Sequence, residues 1–222
     1  MQAWLRHHLG RLALRDKRYA YLFDKTDTGE AVSIDCETTG LDPRKDDIIS
    51  IAAVKIRANQ ILTSEAFRVT VKPKADLGAT SIKIHQLRKS DVEAGSPISA
   101  VLPQFLEFIG NRPLVGYWID FDVRMLNKDV RRMLGTPLPN KRIDVCDLFY
   151  DRKYGNAPPG TRIDLKFASL LEALALPPLQ AHDAFNDAIS TAQMYLVLKD
   201  LKERGVYLKR ERNWDQPMTP IG

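Results

Sequence analysis

In Ser33-Ile34-Asp35-Cys36-Glu37-Thr38-Thr39-Gly40, two acids stand one residue apart in a run with strand character. Alternate residues of a strand share a face, so Asp35 and Glu37 point together while Ile34 and Cys36 enter the opposite layer. Neighbouring carboxylates repel and are costly to desolvate. A divalent cation removes that cost, and hard cations such as Mg²⁺ prefer oxygen ligands. A second segment, Val115-Gly116-Tyr117-Trp118-Ile119-Asp120-Phe121-Asp122, puts two acids where a strand hands over to a helix, with Asp122 in the first turn. A third, Ala181-His182-Asp183-Ala184-Phe185-Asn186-Asp187-Ala188, sets an imidazole and a carboxylate at a helix start, where both can border one cavity. Each segment alone also fits something plainer: a solvated strand end, a helix cap, a capping cluster with a surface His.

Strands and helices must bring these segments together. Ala31–Cys36 and Ile48–Arg57 are expected strands, and Ala58-Asn59 turns the chain into a third, Ile61–Lys72. Phe67, Val69 and Val71 alternate with Arg68, Thr70 and Lys72, as a sheet with one buried face requires. After Pro73 the pattern turns helical. Ser96 is the expected N-cap of a helix whose apolar stripe runs Ile98, Val101, Leu102, Phe105, Leu106, Ile109 to a stop at Gly110, with Pro103 marking a kink or late start. Leu114–Tyr117 is a short strand, followed by a helix with Phe121, Met125, Leu126, Val130 and Met133 on one face, ending at Gly135. Arg142–Val145 is another strand, Asp164 caps a helix through Leu174, and His182 to Arg204 holds the last long helix, stopped by Gly205. Three strands followed by alternating strands and helices make an α/β fold with a mixed sheet.

The conjunction of segments resembles the DEDDh (DnaQ-like) 3′–5′ exonucleases, the group of the epsilon proofreading subunit of bacterial DNA polymerase III, ribonuclease T and oligoribonuclease. The resemblance covers about Ala31 to Leu201, with the motifs in order. It implies a ribonuclease H-like mixed sheet flanked by helices. It implies that Asp35, Glu37, Asp122 and Asp187 hold two divalent cations, Mg²⁺ or Mn²⁺, with Asp35 bridging, and that His182 is the general base. Phosphodiester bonds would be cut from the 3′ end of single-stranded DNA or RNA, releasing nucleoside 5′-monophosphates. Thr38, Thr39, Leu41, His85 and Phe121 would contact the terminal nucleotide; a turn for the threonines and core packing for Leu41 and Phe121 are the alternatives. Tyr117-Trp118 stands where the family commonly has His-Asn, and Gln86 follows His85 where Gly is common. Gly-Tyr-x-x-x-Phe-Asp-Val-x-Met-Leu-Asn is similar to a bacterial subgroup associated with nucleotidyltransferase and CBS-domain proteins, so a DNA polymerase or nucleotidyltransferase partner is expected. The rival from another class is a catalytically silent nucleic-acid-binding or scaffold subunit.

The rest of the chain bounds these expectations. Its 222 residues, 44% hydrophobic and 27% charged, have ordinary globular balance and exclude a disordered chain. The organisation expected is a helical extension over 1–28, a domain over 29–208 and a loose tail over 209–222. The extension is basic, and Leu5, Leu9 and Leu12 fall at helical spacing. A net charge of +5 is compatible with a polyanionic partner. Cys36 and Cys146 are too few for a disulfide framework and fit a reducing, cytoplasmic setting. No apolar run approaches a membrane span, and Arg6 and Arg11 interrupt the apolar core a secretory signal would need. No Gly-rich phosphate loop is present, which argues against an NTPase or a dinucleotide enzyme.

Overall fold

The computed structural model describes residues 2–24, 29–74, 89–180 and 182–210. Strand β1 spans Ala31–Thr38, β2 Ile48–Arg57 and β3 Gln60–Lys72; β4 is Ser96–Pro97, β5 Leu114–Gly116 and β6 Arg142–Asp144. The helices are α1 (Gln2–Ala13), α2 (Lys89–Glu93), α3 (Ile98–Ile109), α4 (Ile119–Leu134), α5 (Val145–Lys153), α6 (Phe167–Ala173) and α7 (Ala184–Glu203), with a 3₁₀ helix at Lys17–Phe23. Among the described residues the strands form one mixed sheet in the order β4-β3-β2-β1-β5-β6. The β1–β2 and β2–β3 pairs are antiparallel, whereas β1–β5 and β5–β6 are parallel.

The alternation along β1 sorts the two layers. Val32, Ile34 and Cys36 pack with the apolar stripes of α3 and α4, including Phe105, Ile109, Met125 and Leu126. Ala31 faces the other layer, where Val115, Phe149, Leu170 and Leu198 join α5, α6 and α7. Burying one such large side chain is worth about 1.5–3 kcal/mol, so both helical layers are held to the sheet. The edges of this central strand are therefore fixed, and the side chains it sends toward α7 have a set position.

Several boundaries differ from those expected. The N-cap of α3 is Pro97 rather than Ser96, because Ser96-Pro97 pairs with β3 as a strand. Pro103 does not delay α3, which runs from Ile98 to Ile109 with the proline inside it. β1 continues past Cys36 to Thr38, and Val145 begins α5 instead of ending β6. Asp164 does not cap α6: Lys166 is the N-cap, while the Asp164 carboxylate accepts from the Lys166 amide and the Ser169 hydroxyl. The sequence pattern does not mark helix α5, and only its first residue, Val145, falls in the expected strand.

The N-terminal segment is helical and packs against the rest of the chain. Leu14, Leu22 and Phe23 are buried in the same core as α3 and α4. The Arg15 amide and guanidinium donate to the Leu134 and Arg132 carbonyls, satisfying the end of α4. Of the residues at helical spacing, Leu9 and Leu12 are 53% and 65% exposed, and the side chain of Leu5 lies outside the described ones. Arg11 is turned to Asp24 and Arg18 to Asp16 within the segment. Residues 25–28 at the end of the expected extension lie outside the described residues, as do 211–222 of the expected tail. No helix among the described residues is long and apolar enough to cross a membrane.

Candidate active site

The three acidic segments meet at the end of β1. Asp35 and Glu37 leave the strand toward α7, and Asp187 comes from the first turn of that helix. Asp35, Glu37 and Asp187 each offer one carboxylate oxygen within 4.8 Å of the others. Small residues make this approach possible. Ala52, Ala184 and Ala188 pack together between β2 and α7, and the Ser33 hydroxyl donates 2.8 Å to the Ala188 carbonyl. A larger side chain at any of these alanines would hold the helix, and Asp187 with it, away from the sheet.

Asp122 reaches the same end of β1 from α4. Its Oδ1 accepts the Cys36 backbone N–H at 3.0 Å, between the two acids of β1. A sharp turn aims it there. Trp118 sits in left-handed backbone with φ 52°. A Cβ on Gly116 would lie 2.6 Å from the Ile119 side chain, so the handover from β5 to α4 tolerates only glycine at this point. The Asp144 carboxylate, at the end of β6, accepts from both the Trp118 and Ile119 amides at 3.2 Å and so caps α4 from outside the helix.

Burial of the acids has an electrostatic consequence. Desolvation first, then the charges of Asp122, Glu37, Asp187 and Asp183, push Asp35 well above the usual carboxylate range. Asp122 is pushed up to about 7, mainly by burial and opposed by the hydrogen bond from the Cys36 amide. Asp187 is pushed up to about 6, by burial and then by Glu37, against a hydrogen bond from the His182 backbone. A hard cation among these oxygens removes the penalty, so the donor set fits a divalent metal.

This fixes a sign. Between pH about 4, near the ordinary value of 3.8, and pH about 6, the folded protein keeps a proton on Asp187 that the unfolded chain has lost. Stability without metal therefore falls as pH rises through that window. Asp187→Asn lacks this slope, so its melting temperature in EDTA gains on that of the wild type by a few degrees from pH 4 to pH 7. Millimolar Mg²⁺ should restore the wild type most at the high-pH end. Parallel melting curves for the two proteins would contradict the electrostatic account.

The other expected residues divide. His182 is exposed at the mouth of the cluster in left-handed backbone with φ 60°. It precedes α7 rather than belonging to it: Asp183 is the N-cap, its carboxylate accepting the Asn186 amide. Thr38 is buried on β1 and its hydroxyl donates to the Gly40 carbonyl, whereas the Thr39 hydroxyl donates to Asp46. Leu41 is 83% exposed, which excludes core packing for it, and half-buried Phe121 packs against the α3–α4 core. His85 lies outside the described residues.

The loop carrying Thr39 and Leu41 is held from outside the motif. A Cβ on Gly40 would stand 2.5 Å from Asp46 Oδ2, so glycine is required for this close approach. Lys128 on α4 donates to the Asp46 carbonyl and pairs with Asp47 at 2.8 Å. Lys128, Asp46, Asp47 and Asp144 were not singled out in the sequence. A Gly followed by acids marks the loop, and Asp144 sits where a strand meets a helix, but nothing in one sequence pairs them across the fold. Tyr117, at the family's His position, is structural: its hydroxyl donates to the Leu165 carbonyl and its ring meets Phe167 edge-on at 5.0 Å. Trp118 at the Asn position is 49% exposed.

A family model described as Exonuclease (RNase T) matches residues 32–195, from β1 into α7. A DNA polymerase III PolC-type protein of Thermotoga petrophila is 32% identical over 177 residues, covering 78% of this chain and 12% of that protein. The chain thus spans about an eighth of the length of such PolC-type relatives. The DNA polymerase III epsilon subunit of Aquifex aeolicus is 29% identical over 174 residues, 78% of this chain and 82% of that subunit. The zinc-bound E. coli exonuclease I–single-stranded DNA complex superposes with a TM-score of 0.67 at 19% identity, over 80% of this chain and 42% of that one. At that identity the likeness concerns the fold, a ribonuclease H-like mixed sheet flanked by helices.

Proposed function

The chain belongs to the exonuclease family whose model spans residues 32–195, and we propose that it is a metal-dependent 3′–5′ exonuclease acting on single-stranded nucleic acid. One observation carries the proposal: Asp35, Glu37 and Asp187 converge within 4.8 Å, with Asp122 bound to the strand between the first two. On this reading Asp35, Glu37, Asp122 and Asp187 hold two divalent cations, Mg²⁺ or Mn²⁺. Bound there, such cations neutralise charge at the scissile phosphate and lower the pKa of a water. The carboxylates fix where that charge sits. The His182 imidazole accepts the proton of the attacking water at the open side of the cluster. The loop of Thr39 and Leu41, pinned by Lys128, faces the terminal nucleotide; its exposed Leu41 meets the base, and Phe121 backs the pocket. Thr38 shapes the loop through its bond to Gly40.

A family relative that is itself a polymerase III subunit supports a polymerase as partner. Cys36 and Cys146 are both buried and unpaired, which suits work in a reducing compartment such as the cytoplasm.

Polarity tests the proposal. A linear single strand with a free 3′ hydroxyl should be shortened stepwise. A 3′-terminal phosphate should slow the reaction at least about tenfold, since it places charge where the pocket receives a hydroxyl. A 5′ block should have no effect. Cutting of a circular single strand at a comparable rate would make the protein an endonuclease.

A further inference from the structure

The sheet face that carries Asp35 and Glu37 continues across β2 and β3. Asp35 is in register with Ala52 and Ala52 with Arg68; Glu37 is in register with Ser50 and Ser50 with Thr70. Registered partners share a face and neighbouring strands lie about 4.8 Å apart, which puts the Arg68 backbone about 10 Å from that of Asp35. The small Ala52 and Ser50 between them leave a cavity of about 190 Å³, bordered by Glu37, Arg68, Thr70, His182, Asp183 and Phe185 among others. Pockets that take whole small molecules measure roughly 300–1,000 Å³, so this one suits a phosphate group with its waters rather than a nucleoside.

Arg68 is fixed at the border of that cavity. Its guanidinium carbon lies 3.9 Å from the centroid of the Phe185 ring, in the second position of α7. Stacking occupies the face of the guanidinium and leaves its N–H edge to bind something else. Other arginines of the domain spend that edge on acids: Arg57 and Arg112 on Glu30, Arg142 on Asp120. Arg68 has no hydrogen bond or ion pair to an acid among the described residues. Apart from His182, which the exonuclease reading assigns to the attacking water, the remaining charged lining, Glu37 and Asp183, is acidic, so Arg68 is the permanent cation that would make an anion acceptable there. A planar fork of donors matches phosphate bidentately.

We propose, on the premise that the chain removes nucleotides from 3′ ends, that Arg68, held by Phe185, binds a phosphate group on the α7 side of the carboxylate cluster. That phosphate belongs either to the substrate strand or to the released nucleoside monophosphate, and two measurements on the full chain distinguish them. The first is binding of a 5′-fluorescein oligo(dT) in Ca²⁺ across a salt series, for wild type, Arg68→Gln, Arg68→Lys and Phe185→Leu. A strand contact predicts Kd at least about tenfold weaker in Arg68→Gln, the worth of a charge-assisted hydrogen bond. It predicts a slope of log Kd against log salt shallower by about 0.7, the value for one phosphate on a single strand. Arg68→Lys should recover the slope but not the full affinity, and Phe185→Leu should fall between. The second is inhibition by thymidine 5′-monophosphate, which weakens in Arg68→Gln if the product's phosphate is the ligand. Arg68 is exposed, so an unchanged melting temperature should certify that its variants are folded. Unchanged oligonucleotide binding, salt slope and monophosphate affinity in Arg68→Gln would overturn the phosphate contact. A wild-type protein that does not shorten strands from the 3′ end would instead strike the exonuclease reading, and the equilibrium binding comparison still decides on Arg68.

Discussion

Asp35→Ala and Asp187→Asn should each lower the rate of nucleotide release by about 10³–10⁵-fold, because a correctly placed metal is worth several kcal/mol and each 1.36 kcal/mol is a factor of ten. The size of the effect follows from geometry. The two carboxylates belong to one constellation within 4.8 Å, and removing either leaves an incomplete set of hard oxygen ligands. The same variants should not be less stable without metal. Desolvation and mutual repulsion raise Asp35 and Asp187 above the ordinary carboxylate range, so each ionised acid opposes folding in the metal-free state. Loss of activity together with an equal or higher melting temperature in EDTA is the expected pair of results. A large drop in melting temperature would show that these acids stabilise the fold instead. Activity within tenfold of the wild type would remove them from the metal site.

His182→Ala should slow hydrolysis by about 10²–10⁴-fold, the usual contribution of a general base, while metal binding followed by calorimetry stays intact. Base and metal ligand are different roles, and the placement of His182 fits the first. His182 stands outside α7 in left-handed backbone, exposed, and touches the cluster through its backbone near Asp187. A side chain buried as a metal ligand would not be left at the surface. The left-handed conformation is uncommon outside glycine and costs free energy that the surrounding turn must supply. His182→Gly would relieve that strain yet still lack the imidazole, so its rate should match that of His182→Ala. A wild-type rate in either variant would mean that another group or bulk solvent takes the proton.

Much of this site could be anticipated from residue order. Asp35 and Glu37 are legible because a strand period of two puts them on one face, and the helix-start pattern around Asp187 places a third acid without reference to the fold. The α3 and α4 cores follow from apolar stripes with a period near that of a helix. What could not be read depends on contacts between distant segments. Asp144 caps α4 across the sheet, and Lys128 holds the loop that bears Leu41. The alternation of β3 marked Arg68 and Thr70 as a polar face, yet only the register with β2 and β1 reveals that this face continues from the carboxylates. Ser96 failed as an N-cap because pairing with β3 claimed it first, an outcome set by tertiary structure over local propensity. Two residues of the α1 stripe differ in a similar way. Leu9 and Leu12 have the right spacing to be buried, but Leu14, Leu22 and Phe23 take the available surface of the core.

The most direct measurement follows a 5′-labelled single-stranded DNA over time after exhaustive dialysis of the protein against EDTA, with and without added Mg²⁺. Asp35, Glu37, Asp122 and Asp187 acting as one metal site predict no reaction before addition. After addition they predict a ladder of products shortened from the 3′ end one nucleotide at a time, with nucleoside 5′-monophosphate released. Full shortening in EDTA, or intact DNA in Mg²⁺ with a protein that binds the strand, would contradict the account.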